Sequence, residues 1–249
     1  MIKEELYYDS RDEKSRLHGV RYIPEDKDSI RCIVQIVHGM AEYIERYEEF
    51  AEFLTARGCV VIGEDHMGHG KSVGKYGKYG YFCEQDPATV LVRDVKKKKK
   101  ATVELYPNVP YVIVGHSMGS FIVRNYMFRY GKGIDAAVIM GTGMPRKAVL
   151  VISRTLAAVQ RILLGAGKKG KLLDKLAFGS YNRHFQNPKT PFDWLSREGE
   201  RVKQYMEDPM CGFVFTINGF ETLFELISRM YHAENLERIP KKMPVFLLS

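Results

Sequence analysis

The residues with the clearest chemical meaning are Gly115-His116-Ser117-Met118-Gly119, which follow the apolar run Tyr111-Val112-Ile113-Val114 and precede a helical period that begins near Phe121. A serine flanked in this way, at the junction of a buried strand and a helix, has the arrangement of a nucleophile elbow. The turn is so tight that side chains two residues before and two after the serine would clash, which calls for Gly115 and Gly119. Ser117 is therefore expected in a strained conformation with its hydroxyl at the carboxyl edge of a sheet. There the N-terminus of the next helix adds partial positive charge. Acyl transfer through a serine also needs two backbone N–H donors for the developing oxyanion. One is expected from Met118. The other is expected from His38-Gly39-Met40, directly after the run at 30–37, where a His-Gly pair lets the chain turn the Met40 amide inward. His38, Gly39, Gly115, His116 and Gly119 are read as support for these two motifs.

A third polar segment, Glu64-Asp65-His66-Met67-Gly68-His69-Gly70-Lys71-Ser72, contains two decoys. Gly70-Lys71-Ser72 ends like a phosphate-binding loop, but that motif needs glycine where this chain has Asp65. Asp65, His66 and His69 are types that bind metals, yet two histidines three apart with no third nearby do not make a ligand set. No metal or other cofactor is expected, and these side chains are read as bracing the floor of a pocket.

The elements that must position these groups follow from hydrophobic period. Residues 1–23 read as a hairpin turning around 10–14. Beyond it, apolar runs at 30–37, 59–62, 111–114, 136–140 and 245–248 read as strands. Between them, Ile44, Tyr47, Phe50, Ala51 and Leu54, then 89–105, then 121–130 carry helical spacing. Strands alternating with helices imply a mostly parallel sheet covered on both faces. From 145 to 235 there are only helical periods and loops. The expected organisation is an α/β core over 1–144, a helical cap or lid over 145–235, and a return to the core over 236–249. In the period that places Val95, Thr102 and Leu105 on the sheet, Lys98 or Lys99 falls on the same stripe, a conflict within the lysine run at 96–100.

The chain has 249 residues, is 45% hydrophobic and 27% charged, and carries a formal charge of +8. This excludes disordered and fibrous classes. No run approaches the ~18 apolar residues of a membrane span, and Met1-Ile2-Lys3-Glu4-Glu5 does not open a secretory signal. A cytoplasmic location is expected. Cys32, Cys59, Cys83 and Cys211 form no C-x-x-C pair, and Cys32 and Cys59 are read as small core hydrophobes. The lysine run supplies five of the positive charges and is read as a solvated face, so no nucleic-acid partner is expected.

Taken together, residues 37–47 (Val-His-Gly-Met-Ala-Glu-Tyr-Ile-Glu-Arg-Tyr), 65–72 and 115–119 resemble the monoacylglycerol lipase/lysophospholipase group of α/β-hydrolases. Phe192-Asp-Trp-Leu-Ser196 and residues 205–213 are similar to cap segments of bacterial members. The resemblance runs along essentially the whole chain. It implies an α/β-hydrolase core, a helical cap forming an apolar acyl pocket, and cofactor-free hydrolysis of a small lipid ester. By that match Ser117 is the nucleophile, and the amides of Met40 and Met118 form the oxyanion hole. The order of the fold is serine, then acid, then histidine. In this group the acid follows the strand at 244–249, where the sequence stops. The expectation is that the triad acid and histidine lie beyond residue 249 and that turnover by these residues alone is impaired. Gly141-Thr142-Gly143 offers no carboxylate, and His184 and His232 fall in the cap.

In the cap, Leu150, Ile152, Leu156, Val159, Ile162 and Leu163 lie beside Arg154, Arg161, Lys168, Lys169, Lys171 and Lys175. Such a basic amphipathic helix suits transient contact with an anionic lipid surface. Other activities of the same fold (aminopeptidase, haloperoxidase, acyltransferase) and a ligand-binding homologue without a working triad remain open alternatives.

Overall fold

The apolar runs in the middle of the sheet become strands because they are covered on both faces, whereas the run at 245–248 pairs as a strand yet is exposed along its length. In β3 (Cys32–Val37) the side chains alternate between two cores: Ile33 and Val37 join one, Val34 and Ile36 the other, with the two-residue period of a strand. β4 (Cys59–Glu64) and β5 (Tyr111–His116) repeat the alternation, with Val60, Ile62 and Ile113 on one side and Val61 and Val114 on the other. The structure, a computed structural model, describes residues 1–75, 77–185 and 187–248.

Among the described residues seven strands form one sheet in the order β1-β2-β4-β3-β5-β6-β7, where β1 is Ile2–Asp9, β2 Arg16–Ile23, β6 Ala136–Met140 and β7 Val245–Leu248. β1 and β2 are the antiparallel hairpin, β2 also runs antiparallel to β4, and every other pairing is parallel. The chain moves outward from β3 to β4 and then returns to place β5 on the other side of β3. The carboxyl ends of β3 and β5 therefore lie side by side where the strand order reverses, the usual place for a ligand crevice in an open parallel sheet. The expected α/β-hydrolase architecture holds.

One face of the sheet is covered by α1 (Glu48–Thr55), the other by α2 (Pro87–Leu105) and α3 (Met118–Tyr130). The helical spacing at 44–54 splits into a 3-10 turn and α1. Phe50, placed on its apolar stripe, is instead exposed and stacks on Phe53. Between β6 and β7 come α4 (Lys147–Leu164), α5 (Lys171–Phe178), α6 (Gly199–Glu207), α7 (Ile217–Arg229) and α8 (Ala233–Glu237). They are not equivalent. α7 buries Phe220, Leu223, Phe224, Leu226 and Ile227 in the core shared with α2 and α3. α4 buries only Leu150 and Ala157 and leaves Val151, Ile152, Ile162 and Leu163 exposed. No described helix is long and apolar enough to cross a membrane.

The conflict in the lysine run resolves at Lys98. Val95 and Thr102 face the sheet, Leu105 does not, and Lys98 is 5% exposed. Its ammonium sits 4.8 Å over the Tyr8 ring, in a slot kept open by Gly19, where a Cβ would come 2.6 Å from Nζ. Beside it lies buried Glu64, whose carboxylate accepts the Tyr8 hydroxyl hydrogen bond. Burial pulls Lys98 down to about 8 and pushes Glu64 up; the Glu64 charge partly restores the lysine, and nearby Arg21 lowers it further. A lysine depressed in the folded state binds fewer protons there than in the unfolded chain between pH ~8 and ~10.4. Stability carried by Lys98 must therefore rise with pH across that window. In urea melts at pH 8 and pH 10, the unfolding free energy of the natural chain should gain on the order of 1–3 kcal/mol relative to Lys98→Met. A constant difference would show that the ammonium is not desolvated.

Candidate active site

β5 passes into α3 through a single residue. Ser117 has φ 49° and ψ −117°, a left-handed conformation costing a non-glycine residue about 1–3 kcal/mol. The surroundings enforce it. A Cβ on Gly115 would lie 2.6 Å from the Gly119 carbonyl oxygen, and one on Gly119 would lie 1.9 Å from the Val37 oxygen and 2.6 Å from the His38 oxygen. Helix α3 thus presses directly on the end of β3, and only bare glycines permit the approach. The Ser117 amide is anchored to the Met140 oxygen at 2.9 Å at the end of β6. Its hydroxyl is half-buried and has no hydrogen-bond partner among the described residues.

The loop after β3 comes to the same place. A Cβ on Gly39 would stand 3.2 Å from Ser117 Cβ and 3.4 Å from His116 Nδ1, so residues 38–40 and 115–119 converge. A buried carboxylate sets this loop. Glu42 Oε1 accepts hydrogen bonds from the Gly39 N–H (2.6 Å), the Tyr47 hydroxyl (2.8 Å) and His116 Nδ1 (3.1 Å). Burial alone would raise the Glu42 carboxyl; the bonds and charge of His116, with Tyr47 and the Gly39 amide, hold it below its ordinary range. The Gly39 amide is thereby occupied, whereas the Met40 and Met118 amides donate to no described group. Two backbone N–H groups with no described acceptor thus lie in the two segments that converge at the strained serine.

Ala41 adopts φ 54°, unusual for a residue with a Cβ. It is held from outside, since its oxygen accepts from the Gly212 amide and the Tyr205 hydroxyl, each at 3.0 Å. Tyr43 donates to Asp208 at 2.7 Å, and the Arg46 guanidinium lies 4.8 Å over the Tyr205 ring. Residues 205–212 are thus strapped to the loop that carries Met40. Glu42, Tyr47 and this strap escaped the sequence reading, although Glu42 and residues 205–213 stood in the quoted motifs. An acid two residues beyond an oxyanion-type loop was the available signal.

The histidines of the decoy segment brace that loop from below. His38 Nε2 accepts the His66 N–H at 3.1 Å, so its Nδ1 bears the proton and donates to the Gly39 oxygen at 2.9 Å. His66 Nε2 donates to the His38 oxygen at 3.2 Å, and His69 Nδ1 donates to the Met67 oxygen at 3.0 Å. The His38 and His66 rings lie 4.0 Å apart, and His69 packs among Phe82, Phe213 and Phe215. Burial keeps all three neutral, pulling His66 to about 4, His69 to about 3 and His38 well below the usual histidine range. Asp65 accepts from the Ile44 and Lys71 amides and pairs with His18 Nδ1 at 2.8 Å. No group of three or more metal-binding side chains comes together among the described residues. His232 is exposed at the start of α8. The side chain of His184 lies outside the described part of the structure. None of the six described imidazoles hydrogen-bonds to Ser117.

A family model described as serine aminopeptidase, S33, matches residues 28–249. The chain is 31% identical over 180 residues to a monoacylglycerol lipase of Mycolicibacterium smegmatis, an alignment spanning 72% of this chain and 56% of the relative. It is 28% identical over 221 residues to the human monoglyceride lipase, spanning 88% and 63%. The chain thus spans less than two thirds of the length of these relatives. Among solved structures, a thermostable carboxyl esterase from Bacillus coagulans in complex with glycerol superposes with a TM-score of 0.87 at 29% identity, covering 98% of this chain and 78% of the esterase. With the seven-stranded sheet, the Ser117 turn and these likenesses together, the chain belongs to the serine aminopeptidase S33 family of hydrolases, as a monoacylglycerol-lipase-like α/β-hydrolase.

Proposed function

We propose that this chain provides the Ser117 nucleophile of a serine ester hydrolase whose substrate is a monoacyl lipid ester of the monoacylglycerol or lysophospholipid type. The observation that carries the reading is Ser117 held at φ 49° between strand and helix, with the free Met40 and Met118 amides beside it. In the reaction, Ser117 Oγ adds to the ester carbonyl carbon as its proton passes to a base. The carbonyl oxygen takes up negative charge against the two amides, and the alcohol leaves with a proton. Water then releases the fatty acid from the acyl-serine by the reverse sequence. The relatives named for monoacylglycerol hydrolysis support the substrate class. So does the exposed apolar face of α4, where Ile162 is 83% and Leu163 73% exposed, followed by Lys168, Lys171 and Lys175. Such a face fits transient contact with an anionic lipid surface.

None of the six described imidazoles hydrogen-bonds to Ser117, and a serine hydroxyl without a base is a weak nucleophile at neutral pH. The 249 residues are therefore expected to react once but hardly turn over. A fluorophosphonate probe should label Ser117 slowly at pH 7 and faster as pH rises, and Ser117→Ala should abolish the label. Hydrolysis of a short p-nitrophenyl ester should fall ~10⁴–10⁶-fold below that of a complete triad. Equal labelling of the alanine variant would remove Ser117 from the chemistry. Undiminished turnover would show that a base is present after all.

A further inference from the structure

We propose that Cys32 and Cys59 form a two-electron redox-modification site, a cross-strand dithiol that a small-molecule disulfide closes to a protein disulfide. The two residues open β3 and β4 and are exact register partners across that parallel pair. Register partners in a parallel sheet project from the same face, and neighbouring strands run ~4.8 Å apart. That spacing falls inside the 4.4–6.8 Å Cα separation that a disulfide spans. The side chains have already turned toward each other: Cys32 Sγ–H donates to Cys59 Sγ at 2.8 Å. The two thiols are in contact, within reach of a ~2.05 Å bond. The other two cysteines, Cys83 and Cys211, are buried elsewhere, Cys83 against the Gln85 oxygen and Cys211 against Arg46.

Access is adequate. Cys32 and Cys59 are half-buried at the amino ends of their strands, at the opposite end of the sheet from Ser117. Their surroundings set the character of the pair. Burial, together with the neighbouring Cys59, pushes the Cys32 thiol up to about 12, so thiolate is scarce at neutral pH. Attack on a disulfide requires the thiolate. Closure should therefore be slow at pH 7 and faster at higher pH. The same disfavoured thiolate makes reopening unfavourable, the reverse of oxidants whose reduced form is stabilised.

The exchange balances with a low-molecular-weight disulfide such as oxidised glutathione as the oxidant. One cysteine loses its proton and attacks a glutathione sulfur, the glutathione S–S bond breaks, and one glutathione leaves as the thiol after taking up that proton. The second cysteine then attacks the protein sulfur of the mixed disulfide. The Cys32–Cys59 bond forms and a second glutathione thiol departs. The two cysteines together lose two hydrogens, and one oxidised glutathione becomes two reduced ones.

The test treats the folded, fully reduced 249-residue protein with excess oxidised glutathione at pH 7 and pH 9, quenches with acid, and measures intact mass, free thiols in denaturant and the linked peptides. The expected result is a mass loss of about 2 Da, a fall from four free thiols to two, one linkage joining Cys32 to Cys59, and faster closure at pH 9. Cys32→Ala and Cys59→Ala should each prevent the linkage. Four thiols persisting after long exposure at pH 9, a stable mixed disulfide at either cysteine of the natural chain, or linkage through Cys83 or Cys211 would overturn the proposal. Because mapping is done on the natural chain, it holds even if an alanine variant folds poorly. None of these readouts involves Ser117, so failure of the ester-hydrolase reading leaves the result untouched.

Discussion

Gly119→Ala should lower the unfolding free energy by about 3 kcal/mol and also abolish fluorophosphonate labelling of the remaining folded protein. The added methyl would stand 1.9 Å from the Val37 oxygen and 2.6 Å from the His38 oxygen. Both obstacles are main-chain atoms, so no rotamer change relieves the clash; α3 must withdraw from β3 or the 38–40 loop must shift. Either movement changes the spacing between Ser117 and residues 38–40. Urea melts measure the first effect, and labelling under conditions that keep the variant folded measures the second. A stable variant that labels at the natural rate would mean that the close approach of α3 and β3 is not required. Ser117→Gly provides the opposite control: relieving the φ 49° strain should raise stability by about 1 kcal/mol while removing the label.

The second large effect is expected at Glu42. Glu42→Ala strips one acceptor from three donors: the Gly39 amide, the Tyr47 hydroxyl and His116 Nδ1. Each buried donor left unpaired costs about 1–3 kcal/mol. Tyr47 and His116 still have each other at 2.8 Å, which limits the total to about 3–5 kcal/mol. Glu42→Gln keeps an acceptor and loses the charge, and should fall between. The pH dependence separates the two contributions. A carboxyl held below its unfolded value contributes stability above pH ~4.3 and loses it as the pH falls toward the depressed folded value. Stability of the natural chain should therefore decline more steeply than that of Glu42→Gln from about pH 4.5 downward. Parallel acid limbs for the two proteins would show that the carboxylate charge does not hold the loop.

Most of the core was legible because local period carries it. The runs that became β3, β4, β5, β6 and β7 are short and apolar, and those of β3, β4 and β5 are rich in β-branched residues. Residues 115–119 were legible because a strand-to-helix turn leaves room for no side chain at its flanking positions. Phe50 and Leu105 were misplaced because a helical period marks an apolar stripe but not how far the sheet extends beneath it. Of the helices between β6 and β7, α4, α5, α6 and α7 were legible as helices, but the sequence did not separate α7, buried against α2 and α3, from the largely uncovered α4.

By itself the sequence determined which segments are strands of a mostly parallel sheet and which glycines a tight turn between strand and helix needs, since both follow from the chain's own excluded volume and local hydrophobic spacing. Only the tertiary structure decided that Glu42 holds the loop beside Ser117, that Ala41 is kept left-handed by Tyr205 and Gly212, that Lys98 lies buried beside Glu64, and that Cys32 faces Cys59. These four depend on which distant group meets each polar atom once strand register and helix packing are fixed. Glu42 apart, whose bonds to Gly39 and Tyr47 are local and only that to His116 is distant, these partners lie tens of residues away and leave no mark on the period of the segment that receives them.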